Sequence, residues 1–272
     1  MRLMNLRPGR QARFYLAGLP FVLLVAAYLV GSGMRLAENP NDKLLPALST
    51  MVQAVKHMGF ETDVRTGRIL MLTDTMASLG RLMAALAFST SAALLLGMAI
   101  GLIPAVHGLL APFISIISVV PPLALLPILF IVMGLGENSK VALIVIGTLP
   151  CMIRDLTMRV MDLPHEQLIK AQTLGASTWQ TALRVALPLA LPRLIDILRL
   201  QLGPAWLFLI AAEAIASDSG LGYRIFLVRR YLAMDVIIPY VIWITCLAFA
   251  MDSALSLLQR KLFPWFGSVR SE

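Results

Sequence analysis

An all-α membrane protein with about six spanning helices is the fold this sequence predicts, on three observations. The 272-residue chain is 58% hydrophobic and only 14% charged, with a mean hydropathy of +0.81; an ordinary soluble domain carries about 25% charged residues. Several windows reach the roughly 20 apolar residues that cross a hydrocarbon core of about 30 Å. The net charge of +8 gathers between those windows, as Lys and Arg that fix orientation do, and this reading displaces nucleic-acid binding as its explanation.

The elements follow in order. Arg2, Arg7, Arg10 and Arg13 precede an apolar run from Phe14 to Val30. That order also belongs to a cleavable signal peptide, but the expectation here is a retained first span at 14–34 after a cytoplasmic N-terminus at 1–13. Residues 35–78 are too polar to cross. They hold a turn at Asn39-Pro40-Asn41-Asp42 and short amphipathic helices, one ended by Gly59, and form an extracytoplasmic segment. The stretch before Gly80 leads along the membrane surface into a second span, Gly80 to Leu102, where Gly97 and Gly101 stand at the GxxxG spacing that lets backbones approach.

The third span, Leu109 to Leu135, contains Pro121, Pro122 and Pro127. Proline removes a backbone donor, and broken backbone in a bilayer survives only against protein or a watery cavity, so these three residues mark either a packing kink or a solute pathway. After the turn at Gly134 to Lys140 come a fourth span (Val141 to Leu163, broken at Pro150), a polar segment, a fifth span (Leu194 to Ala216) and a sixth (Val236 to Leu257). The five spans after the first make a core at 79–258, with a cytoplasmic loop at 164–188 and a cytoplasmic tail at 259–272. Arg154, Arg159, Lys170, Arg184, Arg260 and Lys261 then share one side. Arg224, Arg229 and Arg230 fall on the other, with no account beyond a surface role.

The polar segment is the informative one. "QTLGASTWQTALRVALPLALP" places nine residues between Gly175 and Val185-x-Leu187-Pro188. The glycine permits a tight joint between two short helices, and Pro188 suits a helix start, where its missing N–H costs little. This segment resembles the EAA loop of binding-protein-dependent ABC importer permeases. Four ordered blocks resemble the nitrate, taurine and aliphatic-sulfonate branch of that family: "VVPPLALLPILFIVMGLGENSK", "TLGASTWQTALRVALPLALP", "AWLFLIAAEAIASDSGLGY" and "LQRKLFPW". The Glu-Ala-Ala often found before the glycine is here Ile169, Lys170 and Ala171, and Glu166 lies three residues too early to stand in.

The resemblance implies a type I ABC importer permease (MetI-like) architecture in a bacterial inner membrane. It implies a second copy of the chain, two cytoplasmic ABC ATPase subunits and an extracytoplasmic solute-binding protein as partners. It also implies that Leu168, Ala171, Thr173, Leu174, Gly175, Ala176, Trp179, Val185, Leu187 and Pro188 couple to the ATPase. Apolar Leu168, Ala171, Leu174 and Trp179 would form the centre of that contact, and polar neighbours its rim. The solute implied is small and anionic, nitrate-, sulfonate- or taurine-like, which makes a cation in the pathway of interest.

Catalysis is not expected. No GxxxxGK[ST] loop is present, so ATP and Mg would be bound by the ATPase partners and this chain would hold no cofactor. The three histidines and the two cysteines, Cys151 and Cys246, form no metal or catalytic pattern. Arg199 is a candidate pathway cation, or with Arg193 and Asp196 part of an ion-paired helix start. Trp206 and Glu213 lie deeper in the same span; an intramembrane acid is a functional candidate, and Glu213 equally suits tethering the SGLGY turn. Asp252 is expected to partner a neighbouring helix. An ion-gradient-driven secondary transporter would also use broken helices, but the internal repeat typical of that class is missing. A membrane enzyme would need a catalytic cluster.

Overall fold

The computed structural model describes residues 9–39, 42–63 and 67–268, and all regular structure among them is helical. Arg2, Arg7, the middle of the Asn39–Asp42 turn and the last four residues lie outside the described residues. Five helices are long and apolar enough to cross a membrane, and a sixth span results if a bent pair counts as one.

Helix α1 (Arg10–Glu38) is apolar on all sides and none of its spanning window is buried within the chain, the pattern of a lipid-facing helix. It is fastened at its C-terminal part, where the hydroxyls of Tyr28 and Ser32 donate to the carbonyls of Pro46 and Leu45 at 2.7 and 3.0 Å. Helix α2 (Leu48–Gly59) follows, ending at the glycine that the sequence marked.

Helix α3 (Leu70–Leu102) is one 33-residue helix. The stretch before Gly80, expected to run along the surface, instead continues the span, because Asp74, Ser78 and Arg81 find buried partners there. The next span is broken: α4 (Pro104–Ile117), a 3-10 turn (Pro122–Leu125) and α5 (Leu126–Met133) are bent by 81° at the Pro121-Pro122 pair. Helix α6 (Glu137–Met161) starts four residues before the expected span, so that Glu137 and Lys140 belong to its first turn and not to a loop.

The polar segment forms α7 (His165–Thr173) and α8 (Thr178–Thr181), then a π-helical stretch (Ala182–Ala186) that passes into α9 (Leu187–Ile215). From Thr178 to Ile215 the chain is thus one helix of 38 residues, about 57 Å long at 1.5 Å per residue. Sequence placed a helix start at Pro188 and a span start at Leu194. The π-helical turn lets the helix run through Pro188 unbroken, which is how helices commonly absorb an irregularity. Short α10 (Leu221–Arg229), the last span α11 (Met234–Leu262) and α12 (Pro264–Ser268) complete the chain.

Helices α3, α6 and α9 make the centre of the bundle. One apolar cluster, around Leu82, Leu143, Leu209 and Tyr240, fills the half away from Gly175. Another, around Ala93, Met152, Leu156 and Ala190, fills the half nearer to it. Gly97 and Gly101 set the α3–α6 distance: a Cβ on Gly97 would stand 3.0 Å from Leu156, and one on Gly101 2.6 Å from Val160.

Gly101→Ala is therefore expected to push α3 and α6 apart and to destabilise the protein by about 1–3 kcal/mol, the usual cost of overpacking. Gly80→Ala, in the same helix with open space at its Cβ position, is expected to be neutral or to gain about 0.5–1 kcal/mol. Thermal unfolding in detergent separates the two, and equal behaviour would remove the close-packing account.

Candidate functional site

Three places carry polar chemistry: a buried ion network at the end of the bundle away from Gly175, a cavity half-way along it, and the exposed Gly175 elbow.

The network begins with Glu213, which has no exposed surface. Its carboxylate accepts from the Arg81 guanidinium at 2.6 Å, from the Ser78 hydroxyl at 2.8 Å and from the Gly222 N–H at 2.9 Å. Arg81 also donates to both carboxylate oxygens of Glu137 and to the Ser219 carbonyl. Lys140, buried, completes this side by donating to Glu137 at 2.9 Å and to Ser217 at 3.0 Å. On the other side Asp74, also buried, accepts from Arg224 at 2.8 Å and from the Gly220 N–H at 3.1 Å. Three cations, Arg81, Lys140 and Arg224, thus meet three carboxylates, the buried Asp74 and Glu213 and the exposed Glu137. Buried charge is tolerable on those terms, paired and with remaining valences hydrogen-bonded.

This arrangement explains the SGLGY turn. Gly220 has φ +126, and a Cβ there would stand 2.5 Å from the Glu213 carboxylate; a Cβ on Gly222 would meet the Ile210 carbonyl at 2.8 Å. The turn is glycine-rich because its backbone lies directly on a carboxylate and a helix. Of the two roles open to Glu213, the geometry shows the tether, the carboxylate holding the turn through the Gly222 N–H. Arg224 is no surface residue: its guanidinium holds Asp74. Arg229 lies over the Phe226 ring at 5.0 Å, and nothing in the structure explains Arg230.

The cavity, of about 280 Å³, lies where the α4–α5 break meets α6 and α9; α6, expected to break at Pro150, runs through it as one helix, as α9 runs through Pro204. The lining includes Ser118 and Pro122 from the α4–α5 break, Pro150 and Cys151 from α6, and Gln201, Pro204 and Phe208 from α9. Pro150 deprives the carbonyl of Ile146, another lining residue, of its helical donor. Pro122 is half-buried and lines this space; Pro121 and Pro127 are exposed on the same broken segment. Trp206 is in the core instead, its Nε1 buried without a hydrogen-bond partner. Arg199 is bound in both directions to Asp252, at 2.7 and 2.9 Å. Asp196, the partner that spacing suggested for it, accepts from Gln259 at 3.0 Å.

The elbow is built from two helix ends. At the end of α7 the Ala176 N–H reaches the Ala171 carbonyl at 3.0 Å and the Gly175 N–H reaches Gln172 at 2.9 Å. This is the Schellman closure, which places a left-handed residue where Gly175, φ +79, stands. Two residues later Ser177 caps α8 in a reciprocal box with Gln180, its Oγ accepting the Gln180 N–H at 3.3 Å while Gln180 Oε1 accepts the Ser177 N–H at 2.9 Å. The joint presents Leu174 and Trp179 to solvent at 87% and 72% exposure. Thr173 and Pro188 are exposed too, while Leu168, Ala171, Ala176, Val185 and Leu187 are half-buried.

Sequence reasoning passed over Asp74, Ser78, Arg81, Glu137 and Lys140. Their signal was present: Asp74, Ser78 and Arg81 recur at intervals of four and three, one face of a helix, in a stretch otherwise able to span.

Removing one member of a buried pair leaves the other charged and unmatched, at about 3–5 kcal/mol. Arg81→Gln and Gly220→Ala are each expected to lower the unfolding midpoint sharply. Gly203→Ala, with open space around its Cβ position, is expected to leave it in place; equal midpoints for all three would show that the network holds nothing.

Comparison with known proteins agrees with this architecture. Residues 71–266 match the family described as binding-protein-dependent transport system inner membrane component. The chain is 39% identical to the taurine transport system permease protein of Escherichia coli, over 71% of this chain and 70% of that one. It is 27% identical to a putative aliphatic sulfonates transport permease protein of Bacillus subtilis, over 96% and 92%. Among solved structures, an inward-facing methionine ABC transporter covers 69% of this chain and 94% of its own, with a TM-score of 0.62 at 17% identity. A bacterial alginate ABC transporter solved with its periplasmic protein covers 92% and 98%, also at 0.62, with 13% identity. The chain belongs to the binding-protein-dependent transport system inner membrane component family and is a multi-pass inner-membrane permease of the ABC importer kind.

Proposed function

We propose that two copies of this chain form the solute pathway of an ATP-driven importer, that the Gly175 elbow seats on cytoplasmic ATPase subunits, and that a solute-binding protein docks at the opposite end. The observation that carries the reading is the elbow itself. A solvated connecting loop has no reason to hold Leu174 and Trp179 in water on a joint fixed by a Schellman closure and a capping box. Apolar side chains held rigidly outward, with Thr173 and Gln180 beside them, have the composition of a docking surface with a polar rim.

Charge supports the orientation. At the elbow end Arg159, Lys170, Arg184, Arg260 and Lys261 form no ion pair among the described residues, whereas Arg81, Lys140 and Arg224 at the other end are matched by carboxylates. An uncompensated positive end belongs in the cytoplasm, which supports a cytoplasmic location for both chain termini. The network end, with α2 and α10, would then face the binding protein. The names of the relatives support a small sulfonate-like solute, taurine or an aliphatic sulfonate. ATP and Mg would be held by the partner ATPases, leaving this chain non-catalytic.

Leu174→Asp changes an exposed side chain and is expected to leave folding intact while abolishing co-purification of the ATPase subunits and ATP-dependent uptake. Gly175→Val, whose side chain meets no neighbour but forces a β-branched residue to positive φ, is expected to weaken both. Normal co-purification and uptake in both variants would overturn the assignment of the elbow.

A further inference from the structure

We propose that Arg154 is the charge that selects an anionic solute, acting from the edge of the mid-span cavity, where Ser118 holds it, together with Gln201. This rests on the permease reading and adds to it the residues that recognise the solute.

Arg154 belongs to the interior of α6, about two turns before the helix ends at Met161, and is not part of the loop-end basic cluster with which its sequence position groups it. Residues Gly147, Pro150 and Cys151 of the same helix line the cavity. Arg154 continues that face, three to four residues beyond Pro150 and Cys151. Its guanidinium reaches the Ser118 hydroxyl, a cavity-lining group, at 3.4 Å. The Ser118 carbonyl in turn lies 4.0 Å from the Cys151 thiol, so the α4–α5 break and α6 meet at this point.

Three further observations narrow the role. The ion pairs of the described residues occupy Arg35, Arg81, Lys140, Arg199 and Arg224 but leave Arg154 out. Asp155, its neighbour, lies about 100° round the helix and is not paired with it. Arg154 is exposed, and an unpaired arginine facing lipid is costly, so intramembrane cations face a bundle interior or a water-filled cavity. The amide of Gln201 makes no hydrogen bond among the described residues, although it lines the same space. A primary amide lining about 280 Å³ and, at its edge, a guanidinium without an ion pair match the needs of a sulfonate, carboxylate or bicarbonate group: charge-assisted donors, two of them parallel on the guanidinium. The Ser118 hydroxyl, whose proton goes to the Ser115 carbonyl at 2.8 Å, accepts from Arg154 and holds it at that edge. Arg199, bound bidentate to Asp252, is neutralised and offers an anion nothing comparable.

The test uses the complete importer, permease with its ATPase subunits and binding protein, in proteoliposomes, with taurine, ethanesulfonate and bicarbonate as probes. For a probe that wild type imports, Arg154→Gln is expected to lower uptake about tenfold or more, the loss of one charge-assisted hydrogen bond. ATPase stimulation by the liganded binding protein and the unfolding midpoint are expected to stay as in wild type, and Arg154→Lys to recover part of the uptake. Arg199→Gln is expected to shift the midpoint instead. If Arg154→Gln does not assemble, Gln201→Leu carries the test, with a raised KM for the anion at unchanged maximal ATPase rate. Unchanged anion uptake in Arg154→Gln, or an unchanged KM in Gln201→Leu, overturns this inference and leaves the permease reading standing. An assembled wild type that imports none of the probes overturns it as well, while failure to bind ATPase subunits at all would count against the permease reading itself.

Discussion

The far end of the bundle depends on the contact between the Arg81 guanidinium and the Glu213 carboxylate. Each has partners on other segments: Arg81 reaches α6 through Glu137 and the SGLGY turn through Ser219, and Glu213 holds the Gly222 N–H and the Ser78 hydroxyl. Helices α3, α6 and α9 and the turn into α10 are thereby tied at one place. In water such a set would add little, because exposed ion pairs are worth at most about 1 kcal/mol. For the buried members, Asp74, Arg81, Lys140 and Glu213, the alternative is an unmatched charge inside the bundle, so the network specifies which helices meet and in what register more than it adds net stability. The two glycines of the turn follow from it, since their missing side chains are what allow backbone N–H groups to reach the carboxylates.

A single helix connects that network to the elbow. Thr178 to Ile215 runs the length of the molecule, bearing the capped joint at one end and Glu213 at the other, with the cavity-lining Gln201, Pro204 and Phe208 between them. Capped at one end and tied by Glu213 at the other, it is irregular between them: a π-helical turn at Ala182–Ala186, close to the elbow, then Pro188, Pro192 and Pro204. Such points are where helices bend. A force applied at the elbow therefore has a continuous mechanical route to the cavity and a fixed anchor beyond it, the requirement for turning a distant binding event into rearrangement of a pathway.

Much of this was legible in the sequence because hydrophobic length and proline position are read one segment at a time. The broken span at Pro121-Pro122, the close packing at Gly97 and Gly101, and the positions of the long apolar helices follow from local rules. Pairings between distant segments do not. Asp74 meets Arg224 across 150 residues and Arg199 meets Asp252 across 53, whereas spacing favoured the local Asp196. Polar residues at span ends were read as loop because polarity alone cannot tell a solvated turn from a buried, neutralised cluster; Glu137, Lys140 and Arg224 were all misplaced that way. The elbow's glycine was recognisable by spacing, but the capping box formed by Ser177 and Gln180 emerges only from the observed helix start.

The central claim is that the elbow is a handle gripped by a separate ATPase. Hydrogen–deuterium exchange over residues 165–181, compared between the free permease in nanodiscs and the same sample with its ATPase subunits and ATP, measures this directly. The account predicts strong protection of the backbone around Leu174 to Trp179 on complex formation, well beyond any change at Phe60 to Asp63 on the opposite end. Unchanged exchange at the elbow in a verified complex, or protection confined to the opposite end, would contradict it.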